Sequence, residues 1–382
     1  MTWSYWPISL FWKTFGVFPV SLNDHRTPVL FTICLIISSI YVLYYTPLVC
    51  KVGIQCTNEM VKILKEIFPG IINVTTMVSR IALLCTVKLI FRKYKETLEC
   101  YELYSPTTPT EVKCYKMFTF ATVSVCLLLI IPINIIRLHI LSGLEEVDGF
   151  EITLYILSYV QNLTMCCSET QFTAQCFMLH RKLKKINDEI IGLKGSLIDF
   201  SRYLHQPLQT ERSTCRSGEQ SDRGLFDVSP RHVSGTTADA IETLRIRHWL
   251  LREAIGYLND LFSVQLCMSA CALSTMIFFD IYYEMCHVMG EFSLSNLVIY
   301  NWLLQYGIRY AGIILISHFT TKQALYTKTI IANLKSNYLD CNINEELHLF
   351  LDQISQSSVE FTACDILTLN IRLITSVSLI LK

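Results

Sequence analysis

The sequence predicts an all-α polytopic membrane protein of seven transmembrane helices, with a cytoplasmic N-terminus and an extracellular C-terminus. Three observations predict it. Of 382 residues, 52% are hydrophobic and only 17% charged, with a mean hydropathy of +0.39, richer in apolar and poorer in charged side chains than a soluble domain. Apolar windows long enough to cross about 30 Å of hydrocarbon recur along the chain. Lysines and arginines, finally, crowd into alternate loops.

Taken in order, the N-terminal tail sets Trp3, Tyr5, Trp6, Phe11 and Trp12 around Lys13. It has neither the basic start nor the small-residue cleavage site of a secretory signal, so the first span serves as the insertion signal. Spanning windows follow at 28–49, 68–90, 117–141, 152–179, 261–289 and 295–320. The second is interrupted by Arg80 and Lys88 and is the least regular. A seventh, at 360–382, follows a polar amphipathic helix that starts at Glu345. Only about nine uninterrupted apolar residues come after Arg372, against the roughly twenty a crossing needs, so the seventh span reads as a shortened one.

Charge placement orients these helices. The N-terminal tail and the loops after spans two, four and six hold 23 of the 32 Lys and Arg residues, the alternate loops and the C-terminus four. The segment Ser142-Gly143-Leu144-Glu145-Glu146-Val147-Asp148-Gly149, after span three, carries only acidic charge. The positive-inside rule therefore puts the N-terminus in the cytoplasm and the C-terminus outside.

The chain reads as a single seven-helix membrane domain over 1–382, with helices four to seven extended into the cytoplasm. In the loop at 180–260, Leu183, Ile186 and Ile190 at helical spacing continue helix four as a stalk with one wet, basic face. A second stalk, 240–257, leads into helix five. Between them, 201–238 is rich in Ser, Gly, Arg, Gln, Thr and Pro and is expected to be mobile. Residues 321–382 form a cytoplasmic helix and the shortened seventh helix, which lines the pore on the resemblance given below. The basic run serves topology and contact with membrane lipids rather than nucleic acid.

Most of the sixteen cysteines lie in apolar runs, as small buried hydrophobes, although Cys50 and Cys56 are spaced to bridge a short loop. The sequons at Asn73 and Asn162 fall within predicted helices, where glycosylation is not expected. There is no phosphate loop, HExxH, Gly-x-Ser-x-Gly or Cys/His ligand cluster, so neither an enzyme nor a cofactor is indicated.

Polarity inside the membrane is costly and points to function or to buried pairs. On the predicted topology, Arg137 (helix three), Tyr159 and Gln161 (helix four), Asp280, Tyr283 and Glu284 (helix five) and Asn301, Trp302, Gln305 and Tyr306 (helix six) converge on the outer half of the bundle. That is how a pocket for a small external ligand is lined. Belt aromatics and helix-packing amides are the plainer alternative. Arg137 is a candidate partner of Asp280 or Glu284. Thr375, Ser376 and Ser378 are the polar positions of the seventh helix.

Three stretches resemble the insect gustatory receptor family, of the insect chemoreceptor superfamily. They are Leu10-Phe11-Trp12-Lys13-Thr14-Phe15-Gly16-Val17-Phe18-Pro19, Leu258-Asn259-Asp260-Leu261-Phe262-Ser263-Val264-Gln265-Leu266, and Glu360-Phe361-Thr362-Ala363-Cys364-Asp365-Ile366-Leu367-Thr368-Leu369-Asn370. The family's closing motif, Thr-Tyr, five apolar residues and Gln-Phe, is missing. The resemblance implies a plasma-membrane taste receptor acting as a ligand-gated non-selective cation channel. Its subunits would form a homo- or hetero-tetramer whose seventh helices line the pore, opened by a small-molecule tastant. An odorant receptor of the same architecture is the near alternative, and a truncated non-conducting product another. A G-protein-coupled receptor would need an external N-terminus, Asp-Arg-Tyr after helix three and Asn-Pro-x-x-Tyr in helix seven, none of which the sequence offers.

Overall fold

The computed structural model describes residues 6–15, 26–52, 68–142, 149–205, 230–287, 294–334, 341–356 and 359–380. The helices are α1 (Trp6–Thr14), α2 (Arg26–Val52), α3 (Phe68–Tyr104), α4 (Pro109–Ser142), α5 (Gly149–His205), α6 (Pro230–His287), α7 (Leu294–Ala332) and α8 (Cys341–Ser355). A two-stranded hairpin, β1 (Thr362–Ala363) and β2 (Leu367–Thr368), precedes α9 (Ile371–Ile380).

Among the described residues four helices carry spans apolar enough to cross a membrane: Val29–Pro47, Pro69–Val87, Pro109–Ile136 and a span within Thr237–Tyr282. Their outward faces are apolar stripes at helical spacing. On α2 the stripe is Ile33, Ile37, Ile40 and Tyr44, all exposed, a surface suited to hydrocarbon rather than water. Among the described residues neither α5 nor α7 supplies a further such span, and both turn polar side chains inward. Helix α5 packs against α1, α2, α3, α4, α6 and α7. It buries Gln161, Asn162, Thr164, Ser168, Glu169, Thr170, Gln171 and Gln175 beside Cys166, Cys167, Phe172 and Cys176.

The stalks are continuous with these helices. Helix α5 runs for 57 residues and α6 for 58, about 85 Å at 1.5 Å per residue and far more than a bilayer core. Leu183, Ile186 and Ile190 of α5 pack with Ile241, Leu244, Leu251 and Ile255 of α6 in one core. Onto this, α8 lays Ile343, Leu347, Phe350 and Ile354, a face at i, i+4, i+7, i+11. Polar clips fix the register: Arg245 Nε to Glu346 (3.2 Å), Arg252 to the Gln353 carbonyl, and Asn187, which donates to the Gln323 carbonyl (3.0 Å) and accepts from Thr327 (2.7 Å).

Two boundaries differ from expectation. The segment expected to be mobile is helical at both ends, to His205 and from Pro230; 206–229 lies outside the described residues, as do Cys56 and the Cys50 side chain. The second difference is at 360–370, where a helix running on from residue 360 gives way to a hairpin. Cys364 and Asp365 take φ of 53° and 56°, a left-handed pair that closes a tight turn, with the Ile366 amide on the Ala363 carbonyl at 3.1 Å. Side chains of α6 hold it. Asn259 Oδ1 accepts the Thr362 amide (2.9 Å), Asn259 Nδ2 donates to Thr362 Oγ1 (3.1 Å), and Ser263 Oγ accepts the Cys364 amide (2.7 Å). Helix α9 then starts afresh at Ile371, with Asn370 Oδ1 accepting the Arg372 amide at 3.0 Å.

Candidate functional site

The polar centre of the bundle is an ion pair between α7 and α5. Arg309 Nε and Nη2 donate to the two oxygens of Glu169 at 2.7 and 3.0 Å, and Nη1 donates to Asn162 Oδ1 at 2.7 Å. The two charged side chains are 2% and 4% exposed, so water screens the pair little. The fork-on-fork geometry offsets the desolvation of both charges, and Asn162 takes a further guanidinium proton. Asn162 and Glu169 lie seven residues apart on α5, one face of a helix, which is why both meet α7. Sequence reasoning missed Glu169; a lone acid inside an apolar stretch, opposite a lone base in another, was the available signal.

One turn from Arg309, Gln305 is 1% exposed, and neither amide atom has a hydrogen-bond partner among the described residues. Trp302 and Tyr306 flank it on α7 and are buried as well, and Asn301 is half-buried. The structure thus brings Trp302, Gln305, Tyr306 and Arg309 onto one inward face. Gln161 faces elsewhere: its Nε2 donates to the Leu35 carbonyl (2.9 Å) and Ser38 Oγ (3.3 Å) of α2. It precedes Asn162 by one residue, about 100° around the helix, so the two amides serve different neighbours.

Tyr159 is half-buried, its ring 6.4 Å from that of Tyr155. Asp280 is buried on α6. Arg137, Tyr283 and Glu284 lie within α4 and α6, but their side chains, and hence the Arg137 pairings, fall outside the described residues. In α9, Thr375 is exposed and donates to the Arg372 carbonyl at 2.8 Å; the side chains of Ser376 and Ser378 are not described. Both sequon asparagines are buried: Asn73 donates to the Pro69 carbonyl at 2.7 Å, and Asn162 holds Arg309.

A second polar centre ties the α3–α4 loop to the stalks. Arg247 of α6 pairs with Glu189 of α5 through both guanidinium nitrogens and donates to Ser105 Oγ at 3.1 Å. Lys182 of α5 sits 4.5 Å from the centre of the Tyr101 ring and donates to Thr107 Oγ1 at 3.3 Å. Burial pushes the Lys182 ammonium down to about 8, against the pull of Glu102 and Glu111. Lys185 pairs with Glu111 at 3.2 Å.

Long helices with apolar outer stripes and inward polar contacts define an all-helical polytopic membrane protein. Residues 7–378 match the family described as 7tm Chemosensory receptor. The chain belongs to that family, which comprises the insect gustatory and odorant receptors. Its fold is similar to the insect olfactory receptor OR5 from Machilis hrabei, with a TM-score of 0.66 at 10% identity, covering 98% of this chain and 94% of that one. The same receptor in complex with eugenol gives a TM-score of 0.58 at 11% identity and the same coverage. No curated protein sequence matches the chain.

Proposed function

We propose that this chain is a taste-receptor subunit of a ligand-gated non-selective cation channel in the plasma membrane, assembled as a homo- or hetero-tetramer and opened by a small organic molecule. The observation that carries the ligand reading is Gln305. A buried amide without partners costs roughly 1–3 kcal/mol, and a ligand hydroxyl or carbonyl between Trp302 and Tyr306 relieves that cost. Asn301, Tyr159, Asp280, Arg137, Tyr283 and Glu284 are the further lining positions on this reading. That the Machilis hrabei receptor binds eugenol supports a ligand of that size, an aromatic body with one or two hydrogen-bonding groups. The lead-in Glu360 to Asn370 favours the gustatory over the odorant reading.

The test is whole-cell current from cells expressing the full chain, with and without related subunits, against small phenols, sugars and amines. A ligand-evoked current is expected, its half-maximal concentration raised at least about tenfold by Gln305→Leu, the loss of one buried hydrogen bond. Currents indifferent to Gln305 and Trp302 would remove the site. An N-terminal tag stained without permeabilisation would overturn the topology.

A further inference from the structure

The loop between α3 and α4 and the first turn of α4 read Ser105-Pro106-Thr107-Thr108-Pro109-Thr110-Glu111. Helix α3 continues 17 residues beyond its apolar span, from Val87 to Tyr104, so the loop stands about 25 Å along the helix from that span. Within it, the hydroxyls differ in availability. Ser105 is buried and holds the Arg247 guanidinium; Thr107 is half-buried and accepts from Lys182, while donating to Glu102 at 3.3 Å. Thr108 is exposed, lies in the non-helical stretch and precedes Pro109; its hydroxyl faces solvent while accepting the Glu111 amide at 3.3 Å as the cap of α4, with Thr110 Oγ1 3.0 Å away. A proline at the next position keeps its predecessor extended, the conformation in which a chain enters a kinase cleft. Two lysines of α5 reach this segment. Lys185 pairs with Glu111, whose other oxygen accepts the Thr108 amide at 3.0 Å, so a single carboxylate bridges Thr108 to Lys185. Lys182 stands on the adjacent threonine.

We infer that Thr108 is a phosphorylation site for a proline-directed Ser/Thr kinase, and that Lys182 and Lys185 are the clamp for the phosphate. The inference rests on the proposed orientation, which puts this loop in the cytoplasm with the kinase and its ATP. In the reaction, Thr108 Oγ1 attacks the γ-phosphorus of ATP. The bond to the β,γ-bridging oxygen breaks, ADP leaves, and the hydroxyl proton passes to the kinase base. The new phosphate carries close to two negative charges at the start of α4, where the helix dipole favours them. It repels Glu111 and draws Lys185 away from it, exchanging a single carboxylate bridge for a dianion shared with Lys182. Phosphorylation thereby fastens the α3–α4 loop to the α5 stalk.

The test uses the purified full chain in detergent, where both faces are open, with a proline-directed kinase and Mg-ATP. Peptide mapping is expected to find one phosphate on Thr108, lost in Thr108→Val and in Pro109→Ala, the second of which keeps the hydroxyl. The phosphorylated protein is expected to melt higher than the unmodified one, and the increment to vanish in the Lys182→Gln/Lys185→Gln double variant. No phosphate, or phosphate only on Ser105, Thr107 or Thr110, overturns the site. An increment unchanged in the double variant overturns the clamp. A mark made in detergent but absent from protein recovered from cells co-expressing the kinase places the loop outside, and sinks the orientation and cellular modification together.

Discussion

The Arg309–Glu169 pair makes the strongest claim on stability. Glu169→Gln leaves the guanidinium buried with one charged partner gone, and Arg309→Gln strands a carboxylate that is 4% exposed. Removing one member of a buried pair costs about 3–5 kcal/mol, on the order of a hundredfold or more in the folded-to-unfolded ratio. Replacing both with apolar residues, Glu169→Leu with Arg309→Met, removes both desolvation terms. The double variant is therefore expected near wild type, at worst about 1–2 kcal/mol below it because Asn162 then loses its donor. Thermal unfolding of purified protein in detergent, followed by tryptophan fluorescence, gives the order wild type, double, then either single, and surface biotinylation should follow it. Strictly additive losses, or a double variant melting at or below the worse single, would refute a pair that balances its own burial.

Four further outcomes follow from the same contacts. Folding drops the Lys182 ammonium from 10.5 to about 8, so below pH 8 the folded state carries a charge penalty on the order of 3 kcal/mol. That penalty fades as pH rises from about 8 to 10.5, because the unfolded chain keeps its proton longer than the folded one. Lys182→Met should therefore melt above wild type at pH 7, with the gap closing by pH 10; a pH-independent gap would contradict this. Cys364→Gly relieves a left-handed residue and should stabilise by about 1 kcal/mol, read as a raised melting temperature. Asn259→Ala removes two hydrogen bonds to Thr362 and should cost about 2 kcal/mol, with hydrogen exchange rising at 361–369 before the rest of the chain. Asn162→Ala leaves the ion pair intact, should cost about 1 kcal/mol, and on the proposed channel reading should shift the ligand dose–response without touching ligand; an unchanged curve at equal surface expression would count against the proposed site beside Arg309 on α7.

Hydropathy revealed the helices because lipid-facing stripes such as Ile33, Ile37, Ile40 and Tyr44 leave a composition signal. The polar face of α7 was readable too, since Gln305 and Arg309 are one turn apart. What faces that stripe was not. Gln161 and Asn162 are adjacent amides of similar chemistry, and only packing assigns one to α2 and the other to Arg309. The hairpin at 361–369 was hidden for a different reason. Its turn uses Cys364 and Asp365 at positive φ, where glycine or asparagine would have announced it, and its stability comes from Asn259 and Ser263, about a hundred residues earlier.

These contacts also constrain how α9 can move. Its base is fixed by the hairpin, whose backbone amides are held by Asn259 and Ser263 of α6; it packs on α7, and its Leu373 and Ile374 lie against the core. Helix α7 is in turn pinned to α5 at Arg309, and again where Thr320 donates to the Cys176 carbonyl at 3.3 Å. Gln305 lies one turn beyond the first pin, at the end of α7 away from the stalk. On the proposed ligand reading, a ligand beside Gln305 therefore acts on a helix restrained below it at Arg309, at Thr320 and again at Gln323 and Thr327. On the proposed channel reading, the opening energy is the ligand's preference for the open over the resting packing. The buried pair fixes which faces of α5 and α7 meet, a register that an apolar contact of the same size would leave less sharply defined.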